Sequence, residues 1–166
     1  MTPPIVLAPL KRTAVARVHH LELPASQEAF VGRVEDMTDE PDLIQDFHHV
    51  TSEAVVVGFF KIDRDFSRRV THLPRGCHAL RGLLVGGQFQ RRGFGTAILQ
   101  ALPAYVRDRY GVDRLWLSVD CANSVAVDAY ASNGWARHGP DFPGRSGPEF
   151  VMRLDLPVAQ INRSTS

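Results

Sequence analysis

The segment LLVGGQFQRRGFGTAIL, residues 83–99, constrains the fold more than any other part of the chain. It ends an apolar strand predicted over residues 79–86 and begins a helix, because apolar residues recur at helical spacing over residues 93–109. Glycine destabilises a helix relative to alanine, so Gly93 and Gly95 at the helix start need a reason. One such reason is a ligand that comes so close to the backbone that a side chain would block it.

The position of this loop indicates what the ligand is. Open α/β sheets bind anionic ligands where a strand passes into a helix, and the first helical turn exposes backbone N–H groups at the positive end of the helix dipole. Arg91 and Arg92 add positive charge. The loop is neither a Walker loop, since the Lys-Ser/Thr ending is missing, nor a dinucleotide fingerprint, which needs three glycines. The segment therefore predicts an anion-binding loop of another kind.

The rest of the chain supplies further strands and helices. Apolar or alternating runs predict strands at PIVLAPL, FHHV, AVVVGFFKI, RLWLSVD and EFVMRLDL, with FHHV and AVVVGFFKI joined as a hairpin. NSVAVDAYASNGW predicts a helix from an Asn123 N-cap to a Gly134 stop. KRTAVARVHHLEL predicts a short helix followed by an extended segment, and EDMTDEPDLIQDFHH predicts a loop or broken helix. Pro103 is expected to kink or weaken the helix in which it lies.

This order of elements predicts an α/β protein whose central sheet contains both parallel and antiparallel pairs. We find no internal repeat and no linker in the sequence. We therefore expect a single domain over residues 1–156, followed by a polar C-terminal tail over residues 157–166.

Two motifs resemble those of the GNAT superfamily, the acetyl-CoA-dependent N-acetyltransferases. The loop fits the superfamily signature Q/R-x-x-G-x-G/A, and the second helix is similar to N-x-x-A-x-x-x-Y-x-x-x-G-F, with tryptophan in place of the final phenylalanine. The matching residues are Gln90, Gly93 and Gly95 in the first motif and Asn123, Ala126, Tyr130, Gly134 and Trp135 in the second. The resemblance covers residues 54–155.

A closer resemblance is to the polyamine-acetyltransferase-like branch of the superfamily. The segments that carry it are LPASQEAFV, VGFFKID, LRGLLVGGQFQRRGFG and GRSGPEFVMRL. That branch usually has an acidic or other polar residue where this chain has Gly86.

The resemblance implies the GNAT fold, a mixed central sheet flanked by helices, with splayed parallel strands at the cofactor site. It implies acetyl-CoA as cosubstrate and no metal. The backbone of residues 83–85 would pair with the amides of the pantetheine arm, and the strand of residues 79–86 would give a backbone N–H to the thioester oxygen. Residues 91–96 would hold the pyrophosphate. The implied cofactor-binding residues are Leu83, Leu84, Val85, Gln90, Arg91, Arg92, Gly93, Phe94, Gly95, Thr96, Asn123 and Tyr130.

Catalysis is expected to depend on Tyr130, which shares a helix face with Asn123. Within the motif, its phenol is the general acid that protonates the departing thiolate, whereas outside it a packed aromatic would suffice. Asn123 is equally well explained by capping alone or by capping together with cofactor contact. The base that takes a proton from the attacking amine is not identified. Five residues are candidates, and each is also explained as an ordinary polar residue: His48, His49, Asp63, His72 and His78.

We expect direct acetyl transfer to a primary amine of a small molecule such as a polyamine, an amino sugar or another amino compound. Two alternatives remain: an acyl-CoA-binding or sensing domain without catalysis, and an acetyltransferase that acts on a peptide or protein amine. A polyamine site would need clustered acids, and one cluster in the sequence consists of Glu35, Asp36, Asp39, Glu40 and Asp42. A solvated loop explains that cluster equally well.

The composition and the apolar runs of the sequence limit which kinds of partner the protein is expected to bind. A net charge of +1 gives no basic excess for nucleic-acid binding, and Cys77 and Cys121 lack the spacing of a metal site. No stretch reaches the roughly 18 apolar residues of a membrane span, and MTPPIVLAPLKRTAV lacks the apolar run of a signal peptide. We therefore expect a cytoplasmic monomer or homodimer that binds neither nucleic acid nor membrane.

Overall fold

The computed structural model describes residues 2–157, which fold around a mixed sheet of eight strands. The strands are β1 (Val6–Pro9), β2 (Gln45–Ser52), β3 (Val55–Asp63), β4 (Ala79–Val85), β5 (Arg114–Asp120), β6 (Ala136–Arg137), β7 (Phe142–Pro143) and β8 (Pro148–Asp155). Their order is β1-β2-β3-β4-β5-β8-β6, with β7 also paired to β8. Strands β4 and β5 are parallel, and the other neighbours are antiparallel. The predicted mixed α/β architecture is confirmed.

The parallel pair separates almost as soon as it forms. Ala79 of β4 pairs with Trp116 of β5, and the Trp116 N–H donates to the carbonyl of His78 at 2.9 Å. Beyond this point, no further residue pair joins the two strands in the part of the chain that the structure describes. The carboxyl halves of β4 and β5 therefore stand apart and leave a cleft in the middle of the sheet.

A bulge reshapes β4 at the edge of this cleft. Phe59 pairs with Leu84 and Lys61 pairs with Arg81, so two residues of β4 lie opposite one residue of β3. The bulge contains Gly82, whose φ of +60° is in the left-handed region, and a Cβ there would lie 2.7 Å from the sulfur of Met37. Both the backbone conformation and the lack of space therefore require glycine.

The helices cover both faces of the sheet. They are α1 (Ala25–Val31), α2 (Val34–Thr38), α3 (Phe94–Tyr110) and α4 (Ser124–Ser132), with short 3-10 helices at Arg12–Val18, Phe66–Arg68 and Gly87–Phe89. The face that carries α3 and α4 is called the α3 face below. None of the helices within residues 2–157 is long and apolar enough to cross a membrane.

Alternation along the strands divides the core between the two faces. Leu117 and Val119 of β5 pack into one core with Ile98 and Leu102 of α3, whereas Trp116 belongs to a cluster on the opposite face. That opposite face is covered by α2, by the first 3-10 helix and by the segment after β3. The core thus fixes which strand side chains face α3 and which face away.

Most predicted elements are present with small shifts of their ends. The hairpin of β2 and β3, the irregular segment after it, β5, α4 and the closing strand lie where they are predicted. Helix α3 runs without interruption through Pro103. Sequence reasoning missed α1 and the short strands β6 and β7. Apart from Pro157, the predicted polar tail lies outside the described residues.

Candidate active site

A cavity of about 330 Å³ lies where β4 and β5 separate. Residues 80–83 of β4 form one wall and residues 118–120 of β5 form the other. Asn123, Ala126 and Tyr130 of α4 line it as well. The separated strands therefore form an open cleft, and its volume is large enough to admit a small ligand.

The cavity connects the two faces of the sheet. Tyr130 and Ala126 pack against the core of the α3 face, which places α4 at one end. Val119 also belongs to that core, so alternation turns Ser118 and Asp120 towards the opposite face. Residues from both faces of the sheet therefore line the cavity.

Residues on the opposite side of the cavity are mostly charged. Glu149 shares the face of Val151, which packs with Trp116. Three arginines line the same cavity: Arg69, Arg81 and Arg145. Arg81 lies 3.5 Å from Asp63 and Arg69 lies 3.8 Å from Glu149, so two of the three have carboxylate neighbours.

Tyr130 is held by α4 with its ring against Trp135, at 5.7 Å between ring centroids. Within residues 2–157, its hydroxyl has no hydrogen-bond partner, and the side chain lines the cavity. Burial raises the pKa of Tyr130 to about 12. The phenol is therefore protonated at neutral pH and has a proton to give to a ligand in the cavity.

Asn123 caps α4 and also borders the cavity. Its side-chain oxygen accepts a hydrogen bond from the Ala126 N–H at 3.3 Å, so it caps α4. It also lines the cavity beside Tyr130. Capping therefore accounts for asparagine here without excluding a ligand contact.

The glycine loop presents a row of free backbone donors. Within residues 2–157, the N–H groups of residues 91–96 have no acceptor in the protein, and the first donor in this stretch that finds one is that of Ala97, which bonds to the Gly93 carbonyl at 3.0 Å. Gly93 is the N-cap of α3 with a φ of +84°, and Arg91 has a φ of +63°. Successive free N–H groups at a helix start form an anion site.

The two glycines of the loop have different explanations. Gly93 adopts a left-handed conformation that side chains rarely adopt, so its reason is local backbone geometry. Gly95 lies inside the first helical turn, and no atom of the protein comes within 4 Å of the position that a Cβ would take. Since nothing in the fold requires glycine at 95, the space beside it is available to a ligand, which fits a phosphate group.

Two exposed arginines flank these donors. Arg91 and Arg92 are exposed and have no carboxylate partner within the described residues. Phe94 is buried, whereas Gly95 and Thr96 are exposed. The loop therefore adds two unpaired positive charges to the row of N–H groups, as a site for a pyrophosphate would require.

The Gln90 side chain is bound by the protein itself. Its nitrogen donates to the Val85 carbonyl at 3.0 Å and to the Gln27 side chain at 2.8 Å. It therefore connects the loop to the end of β4 and to α1. The observed contacts make Gln90 a residue that positions the loop.

The three predicted residues of β4 differ in their surroundings. Leu83 lines the cavity, whereas the Leu84 side chain is buried in the core of the opposite face. Val85 packs against the core of the α3 face. Their side chains belong mainly to the core, so a ligand would meet them chiefly through their backbone on the side that β5 has left open.

None of the five candidate bases lines the cavity within the described residues. His48 is fully buried and lies between two tyrosines, with Nδ1 2.7 Å from the Tyr105 hydroxyl and Nε2 2.9 Å from that of Tyr110. Asp63 reaches the cavity only through its ion pair with Arg81. The acidic segment of residues 35–42 also lies outside the cavity lining.

The sequence profile of the acetyltransferase (GNAT) family matches residues 16–135. The chain belongs to this family. The match extends from the first 3-10 helix to Trp135 and includes the glycine loop, both splayed strands and α4. The predicted family and fold are confirmed.

Among curated proteins, a mycothiol acetyltransferase from Salinispora arenicola is 49% identical to this chain over 45 residues. That match covers 27% of this chain and 15% of the relative's length.

Solved GNAT structures show the same fold at low identity. A Vibrio cholerae spermidine N-acetyltransferase with CoA and spermine has a TM-score of 0.67 and 15% identity over 91% of this chain and 95% of that one. An aminoglycoside acetyltransferase with coenzyme A has a TM-score of 0.74 and 14% identity over 92% and 95%. An Escherichia coli ribosomal-protein alanine N-acetyltransferase has a TM-score of 0.65 and 20% identity over 96% and 98%. The fold alone therefore does not select an acceptor.

Sequence reasoning did not identify the charged residues of the cavity. Glu149 and Arg145 lie within GRSGPEFVMRL, a segment that carries the family resemblance, but neither was predicted as a site residue. The signal that could have indicated them is the pair of glycines, Gly144 and Gly147, just before a strand. Such a pair marks a tight backbone path next to something bulky.

Proposed function

We propose that this protein transfers the acetyl group of acetyl-CoA directly to a primary amine of a small molecule. The observation that carries the proposal is the cavity through the sheet, where the unpaired edge of β4 faces the free hydroxyl of Tyr130. Family membership supports acetyl-CoA as the cosubstrate, and the free N–H groups of the loop fit its pyrophosphate. The thioester that acetyl-CoA supplies is an activated acyl group with a thiolate as leaving group.

The pyrophosphate is held at the start of α3. The N–H groups of residues 91–96 donate to its oxygens, helped by the helix dipole and by the charges of Arg91 and Arg92. Gly95 lets the phosphate oxygens approach the backbone, and Gln90 keeps the loop next to β4. Phe94 contributes through its backbone, since its side chain is buried.

The pantetheine arm lies along β4. The backbone of residues 83–85 supplies N–H and C=O groups on the side from which β5 has separated. The bulge at Gly82 changes the direction of the backbone there, which lets one N–H point to the thioester oxygen. Asn123 borders the same space from the end of α4.

Tyr130 is the general acid. Its raised pKa keeps the phenol protonated until the sulfur needs a proton. A thiolate in the same half-buried cavity is destabilised by the same loss of water, so protonation by Tyr130 is favoured there. A free hydroxyl facing the cavity supports an enzyme over a binding or sensing domain, in which the hydroxyl would have no task.

The acceptor enters from the face opposite α4. Polyamines carry several positive charges, whereas three arginines line that side of the cavity and the acidic segment of residues 35–42 does not. These charges favour an acceptor that carries few positive charges, so they rank polyamines below compounds with a single amine despite the resemblance to the polyamine branch. An amine of a peptide remains a second candidate, because relatives of this fold include an alanine N-acetyltransferase.

The catalytic unit is proposed to be the single domain of residues 1–156, active as a monomer or homodimer without nucleic acid or membrane. The test is thiol release from acetyl-CoA with four acceptors: spermidine, kanamycin, glycinamide and a peptide with an N-terminal alanine. We expect saturable release with at least one of them and none without acceptor. Binding of acetyl-CoA without turnover of any amine would support the sensing alternative.

A further inference from the structure

Glu149 is a carboxylate in the cavity without a hydrogen-bond donor. It is the second residue of β8, its side chain is 14% exposed, and it lines the cavity on the side opposite Tyr130. The nearest cation is Arg69, whose guanidinium nitrogen is 3.8 Å from the carboxylate and so beyond hydrogen-bond length. Within residues 2–157, no other group donates to it. A largely buried carboxylate without a donor is costly unless a ligand supplies one.

The turn before β8 is shaped around this carboxylate. A Cβ at Gly144 would coincide with the Glu149 carboxyl group, so any residue other than glycine would displace it. The Gly144 N–H donates to the Gly147 carbonyl at 2.9 Å, which closes the turn. The backbone therefore leaves room for the carboxylate at one position inside the cavity.

The second carboxylate of the cavity is already engaged. Asp120 pairs with Glu149 in the sheet, and its oxygen accepts a hydrogen bond from the Ala122 N–H at 2.8 Å. Asp63 is engaged as well, by Arg81. Among the acids at or near the cavity, Glu149 is therefore the one whose carboxylate accepts no hydrogen bond within residues 2–157.

We propose that Glu149 binds the ammonium group of the acceptor and takes its proton. This inference rests on the proposed function and names the base that the sequence left open. An alkyl ammonium has three N–H donors and is unreactive until it loses a proton. Glu149 supplies both an acceptor for those donors and a base, on the side from which the acceptor arrives.

The protons balance as follows. The ammonium gives one proton to Glu149, and the nitrogen lone pair forms the C–N bond to the acetyl carbon. The C–S bond breaks, its electron pair stays on sulfur, and Tyr130 protonates the sulfur. The nitrogen loses its second proton, which restores Tyr130, and Glu149 releases its proton to solvent. The products are the amide, free CoA thiol and one proton.

The test compares Glu149→Gln with wild type at two pH values, using whichever of the four panel amines wild type acetylates fastest. At pH 7 we expect kcat/KM to fall by about 100-fold or more, as for loss of a general base. At pH 10 we expect the loss to shrink to less than about tenfold, because roughly 30% of an alkyl amine with a pKa of about 10.4, and nearly all of an α-amine with a pKa of about 8, is then neutral. A structural role would lower kcat/KM equally at both pH values. The other charged groups that line the cavity with Glu149 are the same in both variants: Arg69, Arg81, Asp120 and Arg145.

Two further variants make the outcome decisive. Gly144→Ala keeps the carboxylate but moves it, so activity should fall in the same pH-dependent way. Glu53→Gln, in the exposed turn between β2 and β3, should leave activity unchanged. Calorimetry should give Glu149→Gln the acetyl-CoA affinity of wild type. Wild-type-like rates in Glu149→Gln, or an equal loss at pH 7 and pH 10, would overturn this inference alone, whereas a wild type inactive with every amine would overturn the proposed function.

Discussion

Ala79 and Trp116 form the single residue pair between β4 and β5 in the part of the chain that the structure describes. Because both residues are buried on the face opposite α3, this pair holds the two strands together at one end while their other ends separate. The separated ends form the walls of the cavity, and α4 brings Tyr130 to it. The cavity therefore opens where the pairing of β4 and β5 stops.

Acetyl-CoA should stabilise the folded protein. A ligand that binds only the folded state adds about 2.7 kcal/mol when its concentration is 100 times Kd, which raises Tm by several degrees. Desulfo-CoA should have nearly the same effect, because the proposed contacts are to the pyrophosphate and pantetheine. Thermal unfolding with each compound provides the measurement. A Tm that neither compound changes at millimolar concentration would contradict the proposed cofactor site.

Gly95→Val should weaken CoA binding without unfolding the protein. The fold has space for the added side chain, whereas the phosphate would be kept away from the N–H groups. We expect Kd to rise at least tenfold, about 1.4 kcal/mol, by calorimetry. Normal affinity would show that the phosphate does not approach this glycine.

Alanine at the same two glycines provides a matched comparison. Gly95→Ala should slightly raise Tm, because alanine favours helix by up to about 1 kcal/mol. Gly93→Ala should lower Tm, because the position needs a φ of +84°. Similar Tm changes in the two variants would contradict the separate reasons inferred for the two glycines.

Because His48 is buried, the free energy of unfolding should decrease as the pH falls below about 6.5. Burial lowers its folded pKa from 6.5 to about 3, so between these values the unfolded chain binds the proton and the folded protein does not. The stabilisation is complete above pH 6.5 and is lost as the pH falls towards 3. Between pH 6.5 and 4.5 we expect the free energy of unfolding to decrease by about 2 kcal/mol, because one titrating proton changes it by at most about 1.4 kcal/mol per pH unit.

Denaturant unfolding at a series of pH values measures this loss. His48→Gln lacks the titrating group, so its unfolding free energy should change less over the same range, whatever its absolute stability. His72→Gln changes an exposed histidine and should keep the wild-type slope. An unaltered slope in His48→Gln would show that another group is responsible.

The sequence predicts the parts of the site that depend on local pattern. The start of α3 at the glycine loop and the Asn123 cap of α4 follow from patterns of a few residues, and the structure has both elements where they were expected. The Gly82 bulge and the cavity side of Glu149 depend on the register between strands distant in sequence. The five candidate bases were chosen by residue type alone, and long-range packing places none of them in the cavity lining of residues 2–157.

Tyr130 is proposed to protonate the leaving thiolate in the cavity between β4 and β5. Tyr130→Phe keeps the ring against Trp135 and removes only the hydroxyl, which has no partner among the described residues. Tyr105→Phe is the matched control, because its hydroxyl bonds to His48 outside the cavity and should affect Tm rather than turnover.

Steady-state thiol release by Tyr130→Phe, under conditions where solvent viscosity does not limit the rate, measures the contribution of this hydroxyl. We expect kcat and kcat/KM to fall together by about 100-fold, the size of a lost general acid, while Kd for acetyl-CoA and Tm stay near wild type. An unchanged kcat, or a lower Tm with normal turnover per folded molecule, would show that Tyr130 is not the general acid.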